Sequence, residues 1–287
     1  MKLRTIKSES VREEIDRMDT APSGIHRIKD SVALLYHENS KFDELIARRE
    51  GIKIGAFSNP YVNARAVQPY KAYPGKKTIS LNPYRELPSP QADFFTTLRK
   101  RSSTRTFVKY SISLNELFRI LTYAYGITRS GNVTNIEGHQ SYRTVPSPGA
   151  LFPLEIYIVL FSSDINEGLY HFRPDINALE CLKEGSFKKS FTRISGAENF
   201  IDMEFPCGFV IVTSVYERVF IKYGERGYRW LLQEVGFVNQ NLALIFEALG
   251  LGSCMLGGFL DDKVNEFIEI DHPGESVQSV TVFGKKE

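Results

Sequence analysis

The chain of 287 residues has a mass of 32.6 kDa and a formal net charge of +2. With 42% hydrophobic and 24% charged residues, its composition excludes a disordered or fibrous protein and predicts one large domain, or one domain with an extension. The near-balance of charge gives no support to nucleic-acid binding. Three widely separated cysteines form no zinc-site or disulfide pattern and suit a reducing compartment. We therefore predict a cytoplasmic protein without a structural metal.

No membrane association is predicted either. The N-terminus lacks the apolar core of a secretion signal. The apolar stretch Asn241–Leu260 contains Glu247 and four glycines, so it is interpreted as a buried helix that runs into a glycine-rich loop.

Residues 1–88 are predicted to be an extension that wraps around a larger body. Charged surface helices are predicted over Ser8–Met18 and Asp43–Glu50, and prolines and tyrosines interrupt the chain after them. The string Leu87–Pro90 marks a boundary, because each proline disfavours helix in the residue before it. The domain proper is therefore predicted over residues 89–287.

Beyond the boundary, helices and buried strands are mixed. A helix is predicted over Ala92–Lys100, and Ser113 and Glu116 have the spacing of a capping box at the start of the next helix. The long helix Tyr228–Leu249 is apolar nearly all round, which predicts a buried centre. Strands are predicted over Leu154–Phe161, Gly168–Arg173, Ala178–Leu182, Gly208–Val215 and Ser276–Phe283. These elements indicate an α+β fold with a central helix.

Two basic strings near the ends of this domain suit a phosphate group. The segment Arg99–Arg105 holds four cations with hydroxyl residues between them, which could pair with and hydrogen-bond to phosphate oxygens. A solvated basic helix end would have the same composition. Lys285 and Lys286 follow the last predicted strand and either add to such a site or serve solubility alone.

Three further strings could contact a ligand or move a proton. The loop Thr144–Pro153 has three prolines, which leave amides for a planar ligand or form an ordinary connection. The glycines of Gly250–Gly258 permit close approach of a ligand, without the spacing of a dinucleotide-binding motif. In Lys222–Arg229, a lysine beside a tyrosine can favour ionisation of the phenol; the alternative is a flexible basic loop.

In this order the strings resemble those of the nitroreductase superfamily of FMN enzymes. The resemblance implies a homodimer with FMN at the subunit interface, a central and mostly antiparallel sheet flanked by helices, and a long buried helix at the dimer interface. By the same resemblance, the cofactor-binding residues are Arg101, Ser102, Ser103, Arg105, Lys285 and Lys286 for the phosphate, and Pro146, Ser147, Gly149, Leu256, Gly257 and Gly258 for the ring.

A narrower resemblance is to the SagB-type dehydrogenases, which oxidise azoline rings in thiazole/oxazole-modified peptides. It lies in Ser147–Glu155, in Gly168–His171, in Tyr36–Lys41 of the extension and above all in Lys222–Arg229. This resemblance implies a precursor peptide as substrate and a cyclodehydratase complex as partner. It also implies that a base removes the ring Cα proton while FMN accepts a hydride. Tyr223 is the candidate base, and Lys222 is expected to lower its pKa.

Two other functions would share the flavin strings. A generic NAD(P)H-dependent nitro- or quinone reductase needs no Lys-Tyr pair, and a flavin-bearing scaffold of the modifying complex needs no catalytic residue. The presence of Lys222 and Tyr223 favours the oxidase. The long helix is further expected to bury Gln233, Gln240 and Asn241 within an obligate dimer interface.

Overall fold

The computed structural model describes residues 31–59, 62, 70–85, 91–132, 139–270 and 273–287. The predicted helix Ser8–Met18 and the predicted boundary Leu87–Pro90 lie outside the described residues. The division of the chain at residue 88 therefore stays a prediction.

Local sequence signals begin several of the helices. The helices are α1 (Val32–Asn39), α2 (Glu44–Gly55), α3 (Phe94–Lys100), α4 (Leu114–Tyr125), α5 (Lys188–Ser195), α6 (Glu217–Tyr223), α7 (Gly227–Ala248) and α8 (Asp261–Ile268). Asp43 and Asp93 accept hydrogen bonds from first-turn N–H groups of α2 and α3. The predicted capping box of α4 is complete, since Ser113 accepts from the Glu116 N–H and Glu116 accepts from the Ser113 N–H.

The strands form a large sheet and a separate ribbon. They are β1 (Thr78–Ser80), β2 (Ile127–Asn132), β3 (His139–Arg143), β4 (Leu154–Leu160), β5 (Gly168–Arg173), β6 (Ala178–Glu184), β7 (Gly208–Val215), β8 (Leu251–Met255) and β9 (Glu275–Lys285). The order in the large sheet is β1-β6-β5-β4-β7-β9-β8, and each neighbouring pair is antiparallel. Strands β2 and β3 form the ribbon. The predicted α+β class and antiparallel sheet are confirmed.

The large sheet has an apolar layer on each face. Along β4, Ile156 and Ile158 belong to the layer that includes residues of α4 and α7, whereas Tyr157 and Val159 belong to the layer that includes residues of α5 and α8. This alternation is the period of a strand buried on both faces, and it explains why β4 is apolar without interruption.

Within one chain the long helix α7 buries a single face, because only one side contacts the sheet layer. Burial of its other face in a dimer interface stays a prediction. Gln233 and Gln240 are exposed, and Leu232 and Phe237 on the outer face are 46% and 43% exposed. Asn241 donates a hydrogen bond to the Ala124 carbonyl at 3.3 Å.

Two segments predicted as loops adopt regular structure. Within Gly250–Gly258, residues Leu251–Met255 form the edge strand β8, because pairing with β9 outweighs the low strand propensity of glycine. Lys222 and Tyr223 are the last two residues of α6 and do not lie in an extended loop.

A buried row of charged side chains lies across β4, β5 and β6. The His171 ring nitrogens are each 3.0 Å from a carboxylate oxygen, Nε2 from Glu155 and Nδ1 from Glu180. Arg218 donates to Glu155 at 2.6 Å, and Arg173 donates to Glu180 at 2.8 Å. Each buried carboxylate in this row is thus paired with both the histidine and an arginine.

Residues of the predicted extension cover this row. The Tyr73 N–H donates to Glu180 at 3.1 Å, and the hydroxyls of Tyr73 and Tyr157 are 2.9 Å apart. Lys71 donates to Glu275 at 2.8 Å. Strand β1, which follows these residues in the chain, pairs with β6, so this part of the predicted extension is held at the edge of the sheet.

Candidate active site

The segment after α3 is held against the end of the large sheet by close backbone contacts. The Thr104 N–H donates to the Ser253 carbonyl at 2.9 Å. A Cβ at Gly252 would lie 2.5 Å from Thr104, and a Cβ at Gly284 would lie 2.9 Å from Phe107. Only glycine allows this approach, so both glycines place the basic segment beside β8 and β9.

Next to this segment is a cavity of about 790 Å³, called cavity A below. It lies between the basic segment, β8, β9 and the outer face of α7. Its lining includes Arg101, Ser103, Ser253, Leu256, Gly257 and Gly258. A Cβ at Gly257 or Gly258 would meet no described atom within 4 Å, so the backbone there is accessible to a ligand.

Cavity A fits a flavin mononucleotide in size and chemistry. Its volume lies within the range of small-molecule sites, roughly 300–1,000 Å³. The Arg101 guanidinium suits a phosphate, and the open backbone at Gly257 and Gly258 suits the ring. Five of the residues predicted to bind the cofactor are thus brought together: Arg101, Ser103, Leu256, Gly257 and Gly258.

Four other residues predicted to bind the phosphate are described by the structure but do not line cavity A: Ser102, Arg105, Lys285 and Lys286. Lys286 donates to both carboxylate oxygens of Glu247, at 2.8 and 2.7 Å. The Lys285 ammonium lies 5.4 Å from the centre of the Tyr110 ring. Arg101 is therefore the predicted phosphate ligand with the most direct structural support.

Replacing Arg101 by alanine is expected to weaken FMN binding by about 10- to 100-fold, because a charge-assisted hydrogen bond contributes roughly 1.5–3 kcal/mol. Quenching of FMN fluorescence on titration with protein measures this affinity. The matched control is Arg99→Ala, which removes an exposed arginine outside the cavity lining. Unchanged affinity in Arg101→Ala, or an equal loss in both variants, would contradict the assignment.

A second cavity of about 670 Å³, called cavity B below, is lined by the predicted flavin-ring loop. Its lining includes Phe57, Arg143, Pro146, Ser147, Gly149 and Lys222. Within one chain, therefore, the structure separates the predicted ring-loop residues from the predicted phosphate residues. It brings the ring-loop residues together with predicted catalytic Lys222 instead.

The loop of cavity B has a strained backbone. Gly149 has φ +65°, and the non-glycine residues Ala150 and Phe152 have φ values of 52° and 44°. The Phe152 N–H donates to Ser147 Oγ at 3.0 Å, and Arg218 donates to the Phe152 carbonyl at 3.3 Å. Strain of this kind persists only where the surroundings hold it, and it concentrates at functional sites.

The side chains of Lys222 and Tyr223 converge on this loop. A Cβ at Gly149 would lie 2.8 Å from Tyr223 Oη and 3.0 Å from Lys222 Nζ. Both polar groups therefore meet at one point of the loop, and glycine provides the space for them. The Lys222 ammonium also lies 5.2 Å from the centre of the Phe57 ring.

The pKa shifts of this pair differ from the sequence-based expectation. Burial lowers the pKa of Lys222 and raises the pKa of Tyr223. The expected lowering of the Tyr223 pKa by Lys222 is therefore absent. An amine that is more easily neutral beside a phenol that is harder to ionise makes Lys222 the better base of the two.

The N-terminal extension holds the segment that carries this pair. The Tyr36 hydroxyl donates to the Glu225 carbonyl at 2.9 Å. The Arg226 and Arg229 guanidinium groups each donate to an extension carbonyl at 2.6 Å, at Ser40 and His37. The basic residues of Lys222–Arg229 thus bind the extension. Together with Phe57, these contacts are site features that sequence reasoning did not find.

Comparison with known proteins decides the family. Residues 98–285 match the Nitroreductase family. The chain belongs to this family. It is 33% identical over 174 residues to MJ1384 of Methanocaldococcus jannaschii, which is named as a nitroreductase; the match covers 60% of this chain and 82% of the relative. It is 25% identical over 181 residues to the microcin B17-processing protein McbC of Escherichia coli, with 61% of this chain and 63% of McbC covered.

A solved structure agrees with this fold. The Escherichia coli microcin synthetase McbBCD complex, with truncated pro-MccB17 bound, contains a chain that superposes with a TM-score of 0.55 at 20% identity. The superposition covers 86% of this chain and 98% of that one. The nitroreductase-like fold implied by the motifs is thereby confirmed.

Two features are absent from the residues that the structure describes. In them, no helix is long and apolar enough to cross a membrane. The same residues contain no group of three or more His, Cys, Asp or Glu side chains that could hold a metal ion.

Proposed function

We propose that this protein is an FMN-dependent dehydrogenase that oxidises thiazoline or oxazoline rings of a precursor peptide to thiazoles or oxazoles. The observation that carries the proposal is the convergence of Lys222 Nζ and Tyr223 Oη on Gly149, at the predicted flavin-ring loop. A generic nitroreductase would not require this pair. Similarity to McbC, a protein that processes microcin B17, supports a peptide substrate.

Azoline oxidation removes a proton from the ring Cα and a hydride from the adjacent carbon, which leaves the double bond that completes the aromatic ring. Bound FMN would supply the two-electron acceptor. The task of the protein is then to accept the proton. We assign this role to Lys222, because burial favours its neutral, basic form. Tyr223, whose pKa is raised, remains a phenol that can donate an orienting hydrogen bond.

We further propose that the active unit is a homodimer in which cavity A of one chain meets cavity B of its partner. Two observations support this proposal. The predicted flavin contacts of one chain fall into separate cavities, and the outer face of α7, which lines cavity A, exposes Leu232 and Phe237. Exposed apolar residues grouped on one helix face are typical of an association surface.

Sedimentation velocity is expected to show a dimer. Phe237→Glu should dissociate it and release FMN, because the charge would have to be buried in the interface. Glu266→Gln, a change at an exposed ion pair with Lys263, serves as the control and should leave the dimer intact. A concentration-independent monomer that retains FMN would rule out the shared site.

A cyclodehydratase complex is proposed as the partner of this dimer. Support comes from the fold similarity to a chain of the McbBCD complex, which was solved with truncated pro-MccB17 bound. Pull-down with a tagged cyclodehydratase is expected to retain the protein, and competition by free precursor peptide distinguishes binding through the peptide from direct contact.

Flavin bleaching distinguishes the proposed oxidase from its alternatives. Under anaerobic conditions, an azoline-containing peptide alone is expected to bleach the flavin absorbance of the purified protein. Bleaching by NADH but not by the peptide would instead identify a reductase. If neither reagent bleaches the flavin and the modifying complex still assembles, the protein acts as a scaffold.

A further inference from the structure

Glu234 is a fully buried carboxyl in the middle of α7, with an exposed fraction of 0%. The Tyr125 hydroxyl donates to Glu234 Oε1 at 2.6 Å. Glu234 Oε2 has no hydrogen-bond partner within the described part of the chain. Burial of a polar oxygen without a partner is unfavourable, and an apolar side chain would fill the same space without this cost. The placement therefore points to a role other than packing.

The carboxyl is linked to both ends of the strained loop of cavity B. The Ser147 hydroxyl lies beside it at the start of the loop, and the Ser147 oxygen accepts from the Phe152 N–H at 3.0 Å. At the end of the loop, the Leu154 N–H donates to Tyr125 Oη at 3.3 Å. Tyr125 thus links Glu234 to the end of the loop by hydrogen bonds, and Ser147, which lies beside the carboxyl, accepts from the N–H of Phe152, where φ is positive.

Several charged or titratable groups face Glu234 from neighbouring elements: Arg143 of β3, Arg218 of α6 and Tyr125 of α4. Burial raises the pKa of Glu234 to about 7, although the two hydroxyls and the two arginines act in the opposite direction. Arg218 is paired with Glu155 at 2.6 Å, and Arg143, whose guanidinium lies 4.1 Å from the centre of the Tyr125 ring, lines cavity B. A change of charge at Glu234 would therefore be felt at the wall of cavity B.

We propose that Glu234 is a positioning residue of the active site, which fixes the loop Ser147–Leu154 through the Tyr125 hydroxyl and the neighbouring Ser147 hydroxyl. Arg143 lies 4.1 Å from the centre of the Tyr125 ring and 5.3 Å from that of Phe152, so a charge at Glu234 acts on a guanidinium that contacts both Tyr125 and the loop. The consequence for catalysis rests on the proposed function, because this loop matters to flavin and peptide only if cavity B belongs to the reaction site.

The loop itself can be followed in flavin-free protein by the NMR signal of the Phe152 amide, which reports its hydrogen bond to Ser147. In the wild type this signal is expected to shift with pH around neutrality. The shift should disappear in Glu234→Gln, which keeps the shape and removes the charge. In Tyr125→Phe its midpoint should move to higher pH, because the lost hydroxyl stabilised the carboxylate.

The active site is tested by the FMN dissociation constant and by KM for an azoline peptide, each measured across neutral pH, because the pH dependence of kcat also contains the titration of Lys222. The wild type is expected to show a pH step of about fivefold or more in at least one of these quantities, the scale of moderate coupling between two sites. Glu234→Gln should abolish the step. The control Glu198→Gln changes an exposed carboxylate and should retain it.

A Phe152 signal that titrates identically in the wild type and Glu234→Gln would overturn the proposal. If Glu234→Gln does not fold, an unmoved midpoint in Tyr125→Phe overturns it equally. Absence of FMN binding at every pH would refute the proposed function alone, since the Phe152 amide still decides whether Glu234 fixes the loop. A purely structural role predicts that Glu234→Gln is less stable. It also predicts that the midpoints of the Phe152 titration and of the active-site pH step stay those of the wild type, an outcome that overturns the proposal.

Discussion

Lys222→Ala is expected to reduce azoline oxidation by about 10²-fold or more, the scale for removal of a positioned base, while the protein stays folded and yellow. The reason is the geometry at Gly149, where the lysine amine and the tyrosine hydroxyl meet. Tyr223→Phe keeps the amine and is expected to cost less, about tenfold. Single-turnover reduction of the flavin by an azoline peptide measures both effects without interference from reoxidation.

The pH dependence separates the two possible bases. If Lys222 is the base, the wild-type rate rises with pH as the amine loses its proton, and the rise lies below the usual lysine range because burial lowers the pKa. Tyr223→Phe should keep this rise and Lys222→Ala should lose it. If Tyr223 is the base, Lys222→Ala should instead recover rate at high pH, because the phenol ionises there. That recovery would contradict our assignment.

Two further variants test the placement of the pair. Gly149→Ala should impair oxidation as strongly as Lys222→Ala, because its methyl group would occupy the point where both side chains meet. Ile221→Ala changes the preceding residue of α6, whose side chain is 53% exposed, and should leave the rate unchanged. Normal turnover by Gly149→Ala would show that the two groups do not act at this position.

The parts of the fold that were predictable are those encoded by continuous apolar runs and by helix caps. Strand Gly208–Val215 has the predicted bounds, and Ser113 begins α4 as the capping box requires. Strand β8 was not predictable, because Gly252 disfavours a strand and only the distant β9 supplies its pairing. The outer face of α7 is exposed within one chain, and its predicted burial in a dimer interface depends on a partner surface that hydrophobicity alone does not identify.

The candidate site was predictable as a set of strings, but not as an arrangement. Gly149 could be singled out as a loop glycine, yet its contact with Lys222 and Tyr223 depends on the packing of α6. Phe57 carries no local signal at all. Glu234 did carry one: it lies three residues after Leu231 and four before Val238, and so it falls on the buried face of an amphipathic helix.

His171→Ala is expected to lower the free energy of unfolding by about 3–5 kcal/mol, the usual cost of removing one partner from a buried ion pair. The variant would leave Glu155 and Glu180 buried, each without one of its hydrogen-bond partners. Urea denaturation measures the loss. His171→Gln can keep a hydrogen bond but carries no charge, so it should lose less stability.

The pH dependence of this loss follows from the directions of the pKa shifts. Burial alone would lower the pKa of His171, but hydrogen bonds to Glu155 and Glu180 outweigh burial and raise it above 6.5. The stability that charged His171 adds is therefore complete below pH 6.5 and is lost as pH rises through its folded-state pKa.

Glu155 sets the lower limit of the pH range. Burial would raise the pKa of Glu155, but Arg218 and His171 lower it from 4.5 to about 2, so the stability that the Glu155 carboxylate adds is lost as pH falls through this range. The difference between wild type and His171→Gln should thus be largest between about pH 4.5 and 6.5. A difference that instead grows as pH rises through about 6.5 would show that His171 is neutral in the folded protein and that the carboxylates rely on the arginines alone.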